Sequence, residues 1–243
     1  MVKPAQGRLS GKIALVTGAS RGIGLAIARA LAKEGCELIV TSRNAASLKK
    51  SSRELGASGV RVLAKTCDVS NPQAVKSLLA AVKNEFGRLD ILINNAGISH
   101  AMAPIGKLSL EVWQKVLATN LTGMFLVTQA ALPLMGRGAS IVNNLSVAAK
   151  QVFAGEAAYC ASKHGALGFT NTLREELREQ GIRVIALLPG ATATEIWNQF
   201  WPDAPRKNMM SVDSVAAAVV GALVLPENST VEELMLNPTA GTL

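Results

Sequence analysis

Aromatic residues, histidines and cysteines are all scarce in this sequence, and each shortage excludes a class of function. Aromatic residues make up 4% of the 243 residues, and Tyr159 is the single tyrosine. Proteins that bind single-stranded nucleic acid stack bases on exposed aromatic rings, so such a binding platform is not expected. Two histidines argue against a histidine-based metal site. Three cysteines without metal-ligand spacing are expected to be reduced thiols of a cytoplasmic protein.

Long apolar runs and acidic residues are also in short supply. The longest apolar run, residues 215–225, is shorter than the ~18 residues that a membrane-spanning helix needs. Residues 1–11 lack the apolar stretch of a signal peptide, so we expect no membrane association. With 25 Lys and Arg against 17 Asp and Glu, the net charge is +8. Because the basic residues are scattered, we expect no nucleic-acid partner; an anionic small ligand would profit from the same positive field.

Apolar residues make up 49% of the sequence and follow an alternating pattern. Short β-branched runs predict strands, and each is followed by a longer segment with helical period. The predicted strands span residues 13–17, 38–41, 60–65, 91–93, 140–144, 182–187 and 232–236. The predicted helices span residues 23–33, 45–55, 72–86, 110–135, 157–179 and 212–223. Apolar strands alternating with helices are typical of a parallel sheet covered on both faces, so we predict one doubly wound α/β domain of about seven strands over residues 1–243.

A glycine-rich turn lies between the first predicted strand and the helix that follows it. Residues 17–24 read Thr-Gly-Ala-Ser-Arg-Gly-Ile-Gly. Glycines allow a sharp turn and a close approach of the backbone to a ligand, and a helix N-terminus offers free N–H groups to phosphate. In an open α/β sheet this edge is also where ligands bind. The turn therefore predicts a dinucleotide site.

The spacing of this turn resembles that of the short-chain dehydrogenase/reductase family. Four further elements of the family pattern follow in order: the run 94–97 (Asn-Asn-Ala-Gly), Asn120, Ser146, and Tyr159 with Lys163. The resemblance covers residues 9–238 and implies a single-domain Rossmann-like fold and an enzyme that interconverts a carbonyl and a secondary alcohol. The chain resembles 3-oxoacyl-carrier-protein reductases, most of all in the glycine turn and the helix around Tyr159, and broad 3-hydroxy-acid and carbonyl reductases. Its C-terminal segment is closer to the broad 3-hydroxy-acid dehydrogenases and a pterin-reductase-like branch.

The turn after the second predicted strand favours NADP(H) over NAD(H). Ser42 stands where NAD-preferring relatives tend to carry an acid, and Arg43 follows it. A guanidinium pairs well with a 2′-phosphate, and Arg21 in the glycine turn could reach the same group. The alternative is that Arg43 is an ordinary loop charge.

The remaining cofactor contacts come from the resemblance. It places Asp68 at the adenine amino group, although Asp68 could instead cap the next helix. It places Thr192 at the nicotinamide amide, and Asn94 is expected to tie adjacent strands together. The predicted cofactor-binding residues are Gly18, Ser20, Arg21, Gly22, Ile23, Gly24, Ser42, Arg43, Asp68, Val69, Asn94, Ala96, Gly97, Tyr159, Lys163, Pro189, Gly190 and Thr192.

Four residues are predicted to be catalytic. Tyr159 and Lys163 are four residues apart on a predicted helix and so share one face. A lysine ammonium and the positive nicotinamide ring of the oxidised cofactor both favour the phenolate, so we expect them to lower the pKa of Tyr159 and let the hydroxyl exchange a proton with substrate. Ser146 is expected to hold the substrate oxygen. The resemblance gives Asn120 a water in a proton relay; without it, Asn120 would be interpreted as a surface or capping residue.

Substrate and partners are less sharply defined by the sequence. Residues 193–210 contain Trp197 and Trp201 and predict an apolar lid or subunit contact, the alternative being a buried core helix. His100, Met102 and Phe153 are further candidates for the rim of the pocket. We expect a small carbonyl or alcohol substrate of ketone, 3-oxoacyl or 3-hydroxy-acid type, and a homotetramer or homodimer formed through the helices 110–135 and 157–179. A catalytically silent NADP(H)-binding regulator or scaffold is the alternative function.

Overall fold

Seven parallel strands form one sheet in the order β3-β2-β1-β4-β5-β6-β7. The computed structural model describes residues 7–241, so the outermost parts of the predicted domain, residues 1–6 and 242–243, lie outside it. The strands are β1 (Ile13–Thr17), β2 (Glu37–Ser42), β3 (Val62–Thr66), β4 (Ile91–Asn94), β5 (Ser140–Asn144), β6 (Arg183–Pro189) and β7 (Glu233–Leu236). The strand order reverses between β1 and β4, which opens a ligand crevice at the carboxyl ends of the strands.

Helices cover both faces of this sheet. They are α1 (Gly22–Lys33), α2 (Ala45–Gly56), α3 (Pro72–Phe86), α4 (Leu110–Leu117), α5 (Gly123–Ala131), α6 (Ala157–Leu177), α7 (Trp197–Phe200) and α8 (Val212–Leu223). Alternate residues of β1 face opposite cores because strand side chains alternate between faces. Val16 packs in a core that includes Ile27 and Val219, whereas Leu15 packs in one that includes Leu78 and Val127. The predicted doubly wound sheet is thereby confirmed.

The predicted strand bounds and most helix bounds lie within two residues of the observed ones, and the long helix over residues 110–135 differs in kind. The third strand spans Val62–Thr66, two residues later at its start than predicted. The helix predicted over residues 110–135 is interrupted by a π-helical turn, Ala118–Thr122, between α4 and α5. Such turns accommodate an extra residue and occur often at functional sites. This one carries Asn120, whose amide bonds the chain after β4 and so depends on a contact that local sequence does not show.

The helical run Leu110–Leu134 is, among the described residues, long and apolar enough to cross a membrane. Core helices of soluble proteins can have the same length and apolar composition, so these two properties do not by themselves indicate a membrane span. Val127 and Ala131 of this run are buried against the sheet, as expected of a core helix.

Candidate active site

A cavity of about 1120 Å³ lies along the carboxyl edge of the sheet. Residues at or just after the ends of five successive strands line it: Ser42, Cys67, Asn95, Ser146 and Pro189. The loop before α7 and α7 itself cover part of it. The cavity therefore occupies the place where doubly wound sheets bind nucleotides.

The glycine turn is shaped by bonds from the chain after β4. The Thr17 hydroxyl accepts hydrogen bonds from the main-chain N–H groups of Asn95 and Ala96 at 2.9 and 3.0 Å. Asn95 Nδ2 donates to the main-chain oxygens of Thr17 and Gly18 at 2.9 and 3.2 Å. A Cβ on Gly24 would lie 2.3 Å from Asn95 Nδ2, so only glycine fits there. No side chain caps the N-terminus of α1, so its free N–H groups suit a pyrophosphate.

Asn95 is a functional residue that the sequence reasoning left out of the predicted site. Its Oδ1 accepts a bond of 2.8 Å from Nδ2 of Asn144 at the end of β5. The two asparagines thereby connect the phosphate-binding turn to the strand that carries the reacting groups. The doubled asparagine at positions 94 and 95 was the available signal. Asn94 itself is buried and donates from Nδ2 to Asn143 Oδ1 and Thr128 Oγ1, both at 2.9 Å, so it ties β4 to β5 and α5 as expected.

The corner beyond β2 is basic. Arg43 is exposed and lines the cavity together with Ser47 and Lys50 of α2, neither of which is among the predicted cofactor-binding residues. Ser42 is buried, and its hydroxyl donates to the main-chain oxygen of Asn44 at 3.1 Å. Arg21 forms an ion pair of 2.5 Å with Glu195 in the loop before α7. The corner can therefore hold a 2′-phosphate through Arg43 and Lys50, with Arg21 engaged elsewhere.

Asp68 does not cap α3. Its carboxylate accepts from the Ser70 main-chain N–H and hydroxyl at 2.9 and 2.7 Å. Asn71 caps α3 instead, by accepting from two main-chain N–H groups. Burial opposes ionisation of Asp68, but the Ser70 bonds and the Arg43 charge hold the pKa of Asp68 below its usual value. Val69 lines the cavity.

Most of the predicted cofactor-binding residues share this one cavity. Those that line it are Gly18, Ser20, Arg21, Gly22, Ile23, Ser42, Arg43, Val69, Ala96, Gly97, Tyr159, Lys163, Pro189, Gly190 and Thr192. Gly24, Asp68 and Asn94 do not line it: Gly24 packs against Asn95, Asp68 bonds Ser70, and Asn94 is buried. Thr192 is buried, and its hydroxyl donates to the main-chain oxygen of Gly190 at 3.0 Å.

The structure brings Ser146, Tyr159 and Lys163 together at the other end of the cavity. Ser146 follows β5, and its Oγ accepts from the Ala148 N–H at 3.1 Å. Lys163 Nζ lies 5.5 Å from the centroid of the Tyr159 ring and donates to the main-chain oxygen of Asn144 at 3.1 Å. Because Tyr159 and Lys163 are four residues apart on α6, both side chains face the same part of the cavity.

Burial dominates the electrostatics of this pair. It raises the pKa of Tyr159 to about 12, and the neighbouring charge of Glu156 adds to the rise, while the Ser146 hydroxyl opposes it. Burial also lowers the pKa of Lys163 to about 8. Burial is the largest cause of the rise in the pKa of Tyr159, because it penalises the charged phenolate. The lowering of this pKa by Lys163 together with the oxidised nicotinamide stays a prediction for the cofactor-bound enzyme.

Asn120 is 1% exposed, so its interpretation as a surface or capping residue is wrong. Its Oδ1 accepts from the Ile98 N–H at 2.9 Å, and its Nδ2 donates to Ile98 O and to Ser162 Oγ at 2.9 and 3.0 Å. Ser162 in turn donates to the main-chain oxygen of Tyr159 at 2.7 Å. Asn120 thereby joins the chain after β4 to the helix that carries the reactive tyrosine.

The segment 193–210 forms an apolar wall of the cavity. Trp197, Phe200 and Trp201 line it, with ring centroids 4.7 Å apart for Trp197 and Phe200. Trp197 Nε1 donates to the main-chain oxygen of Thr192 at 2.9 Å. Trp201 is 38% exposed, so the alternative of a buried core helix is wrong.

Two of the three predicted rim residues reach the cavity. Met102 and Phe153 line it and are exposed, whereas His100 is buried behind them. Over residues 7–241, no group of three or more His, Cys, Asp or Glu side chains is placed to hold a metal ion.

Comparison with known proteins identifies the family. The model of the short chain dehydrogenase family matches residues 12–205. The chain belongs to this family. Among proteins similar to this short-chain dehydrogenase, D-threitol dehydrogenase of Mycolicibacterium smegmatis is 39% identical over 225 residues, covering 88% of this chain and 86% of the relative.

Two further relatives support the same placement. The 3-oxoacyl-[acyl-carrier-protein] reductase of Synechocystis is 40% identical over 191 residues, 77% of each chain. A solved short-chain dehydrogenase from Burkholderia cenocepacia in complex with NADP superposes with a TM-score of 0.87 at 34% identity, covering 96% of this chain and 99% of that one. The chain is therefore an oxidoreductase of the short-chain dehydrogenase type.

Proposed function

We propose that this oxidoreductase interconverts a ketone and a secondary alcohol with NADP(H), using Tyr159 as the general acid and base. The observation that carries the proposal is that one cavity contains both a phosphate-binding glycine turn and the set Ser146, Tyr159 and Lys163. A cofactor bound at the turn and a substrate at Tyr159 would then meet in a shared space. The enzyme is expected to act on CH–OH groups.

The cofactor is NADP(H). The N-terminus of α1, which no side chain caps, fits the pyrophosphate of the cofactor. Arg43 and Lys50 supply the positive charge that a 2′-phosphate requires. The relative from Burkholderia cenocepacia was solved with NADP. When bound, the nicotinamide supplies or accepts the hydride at the substrate carbon.

The chain's own residues handle the oxygen and its proton. Ser146 hydrogen-bonds the substrate oxygen and stabilises negative charge that develops on it. Tyr159, whose pKa burial raises to about 12, is present as the phenol and donates its proton to that oxygen during reduction, which leaves the phenolate. In the oxidation direction the phenol must first lose its proton, and the phenolate then takes the proton of the alcohol. Lys163, buried and bonded to Asn144, adds positive charge beside the phenol when protonated. Asn120 is the proposed link to a water that carries the proton to solvent.

A ketone, 3-oxoacyl or 3-hydroxy-acid type substrate fits the composition of the cavity. Trp197 and Phe200 of α7 and Phe153 of the loop before α6 offer apolar contact to a substrate. The named relatives act on a polyol, D-threitol, and on a 3-oxoacyl group.

The direct test is Tyr159→Phe. Following NADPH oxidation with simple ketones, 3-oxoesters and diketones, we expect the wild type to turn over at least one class. The variant should lose about 10²- to 10⁴-fold in kcat because the proton donor is gone, while NADPH binding, measured by fluorescence titration, is unchanged. Near-normal activity would refute the role of Tyr159. Cofactor binding without turnover of any carbonyl by the wild type would instead support a regulatory protein.

Cytoplasmic location and a homotetramer or homodimer are part of the same proposal. Phe125 of α5 is 42% exposed and lies edge-to-face with Phe169 of α6 at 6.2 Å, so these helices present an apolar surface to a second copy. Light scattering should give a mass two or four times that of the chain. A monomer would overturn the proposed assembly.

A further inference from the structure

A buried carboxylate lies beside the reacting groups and has no part in the mechanism above. Glu156 directly precedes α6, three residues before Tyr159. It is 4% exposed and lines the cavity. Its main-chain atoms are fixed, since its N–H donates to Phe153 O at 3.1 Å and its oxygen accepts from the Cys160 N–H at 2.8 Å. The carboxylate is thus held at a set position on the cavity wall.

The hydrogen bonds of Glu156 leave acceptor capacity unused. Ser99 Oγ donates to Oε2 at 3.0 Å, whereas Oε1 is buried and has no hydrogen-bond partner within residues 7–241. Neighbouring His100 bonds Ala101 O through Nδ1 at 2.8 Å, and its buried Nε2 likewise lacks a partner within this range. Buried polar atoms are nearly always paired, and an unpaired buried acceptor is costly. A donor arriving in the cavity would satisfy the carboxylate.

The cost of burying the charged Glu156 carboxylate is reflected in its pKa. Burial raises its pKa, and the Ser99 bond and the charge of His100 only partly offset this. A neutral hydroxyl group on a ligand would donate to this acceptor without bringing a second charge into the cavity. The requirement is therefore for a hydrogen-bond donor.

The distance from Glu156 to the reaction is short. Glu156 immediately precedes the first turn of α6, and Tyr159 lies in that turn. The charge of Glu156 also acts on Tyr159, whose pKa it raises. A substrate oxygen bound by Tyr159 and Ser146 would place the substituents of the adjacent carbon within reach of this carboxylate. Gln151 and Gln199 also line the cavity, but Glu156 is the lining carboxylate that immediately precedes the helix of Tyr159.

We propose that Glu156, positioned by Ser99, is a specificity-determining residue that accepts a hydrogen bond from a hydroxyl on the carbon next to the reacting carbon. The preferred substrates would then be 2-hydroxyketones and the corresponding vicinal diols. This deepens the proposed function and rests on it, because it assumes that the reacting oxygen binds at Tyr159.

The test uses a nearly isosteric pair of ketones, hydroxyacetone and butanone, with NADPH. The wild type should have the higher kcat/KM for hydroxyacetone. Glu156→Gln should lower the ratio of kcat/KM for hydroxyacetone to that for butanone by roughly tenfold or more, the range expected for a hydrogen bond to a charged group. Equal losses on both substrates would show a merely structural role and overturn the proposal, as would an unchanged preference.

Ser99→Ala is the matched variant, since it removes the bond to Oε2 but keeps the carboxylate. It should reduce the preference for hydroxyacetone less than Glu156→Gln does. If Glu156→Gln melts far below the wild type, Ser99→Ala decides alone: a preserved preference overturns the proposal. Its pH profile with butanone should match that of the wild type.

A binding measurement separates this proposal from the proposed function. Propane-1,2-diol and butan-2-ol are titrated calorimetrically into the NADP⁺-loaded wild type and Glu156→Gln proteins. Tighter binding of the diol that is lost in the variant supports recognition by Glu156 even where turnover fails. No preference for the diol in the wild type overturns it even where ketones are reduced.

Discussion

Lys163 donates a hydrogen bond from Nζ to the main-chain oxygen of Asn144 at 3.1 Å, which fixes the ammonium between α6 and the end of β5. Lys163 is 6% exposed, and burial lowers its pKa from 10.5 to about 8. The folded chain therefore holds this proton less tightly than the unfolded chain does. A buried cation that the protein tolerates at a cost to stability suggests a functional reason for its presence.

The pH dependence of stability tests this cost. Between pH 8 and 10 the unfolded chain binds more protons at Lys163, so the free energy of unfolding should rise with pH there, by up to about 3 kcal/mol. That contribution is lost as pH falls through 8. Lys163→Met should lack the rise. Urea unfolding of both proteins without cofactor checks this.

Other groups do not obscure the comparison. Burial raises the pKa of Cys36 to about 12 and that of Cys67 to about 11, so both lower stability above pH 9, equally in the two proteins. The difference between wild type and Lys163→Met therefore isolates the lysine. Parallel stability curves from pH 7 to 10 would contradict the prediction.

Arg43 is predicted to set the cofactor preference. Arg43→Ala should weaken NADPH binding by about tenfold or more and leave NADH unchanged, because only NADPH carries the 2′-phosphate that the guanidinium can bind. Fluorescence titration with both cofactors measures this. Lys49→Ala is the control, since Lys49 is an exposed cation of α2 outside the cavity lining. Equal constants for NADPH and NADH in the wild type would show that Arg43 is an ordinary loop charge.

The ion pair between Arg21 and Glu195 should compete with the cofactor. It joins the glycine turn to the loop before α7, and both side chains are more than 60% exposed. Glu195→Gln frees Arg21 for the phosphates, so NADPH affinity should increase by a few-fold, in line with the small strength of exposed pairs. The gain should shrink at 0.5 M salt, roughly as screening predicts.

A second exposed pair provides the control for this measurement. Glu85 pairs with Arg61 at 2.5 Å, and neither lines the cavity. Glu85→Gln should leave NADPH affinity unchanged at both salt concentrations. A weaker affinity in Glu195→Gln would mean that the ion pair holds the site in its binding form.

The sequence predicts the fold well because its signals are local, while several features of the site depend on contacts made only in the folded chain. The periodicity of strands and helices and the glycine turn can be recognised from residues that are close together in the sequence. The pKa of Tyr159 follows from burial by distant elements. The importance of Glu156 depends on Ser99, 57 residues earlier. In the sequence Glu156 is merely a charged residue before a helix.

Asn120 is a second residue whose contacts depend on the fold, since it bonds Ile98, 22 residues earlier in the sequence. Its place in the proton relay is implied only by the family resemblance. Asn120→Ala removes three hydrogen bonds and leaves Ile98 N–H and O without their partner. We expect a loss of about 2–3 kcal/mol in the free energy of unfolding, measured with urea, since buried groups are left unsatisfied. Asn84→Ala, on the exposed face of α3, should cost about 0.5 kcal/mol or less.

Asn120→Asp separates the acceptor from the donors of this side chain. Aspartate can still accept from the Ile98 N–H, but it cannot donate to Ile98 O or to Ser162 Oγ. It also introduces a charge at a position that is 1% exposed. Its loss of stability should therefore shrink as pH is lowered from 8 to 5, because protonation of the buried carboxyl restores a donor, whereas the loss in Asn120→Ala should not change. A loss in Asn120→Asp that stays constant across this range would mean that the donors of Asn120 contribute little.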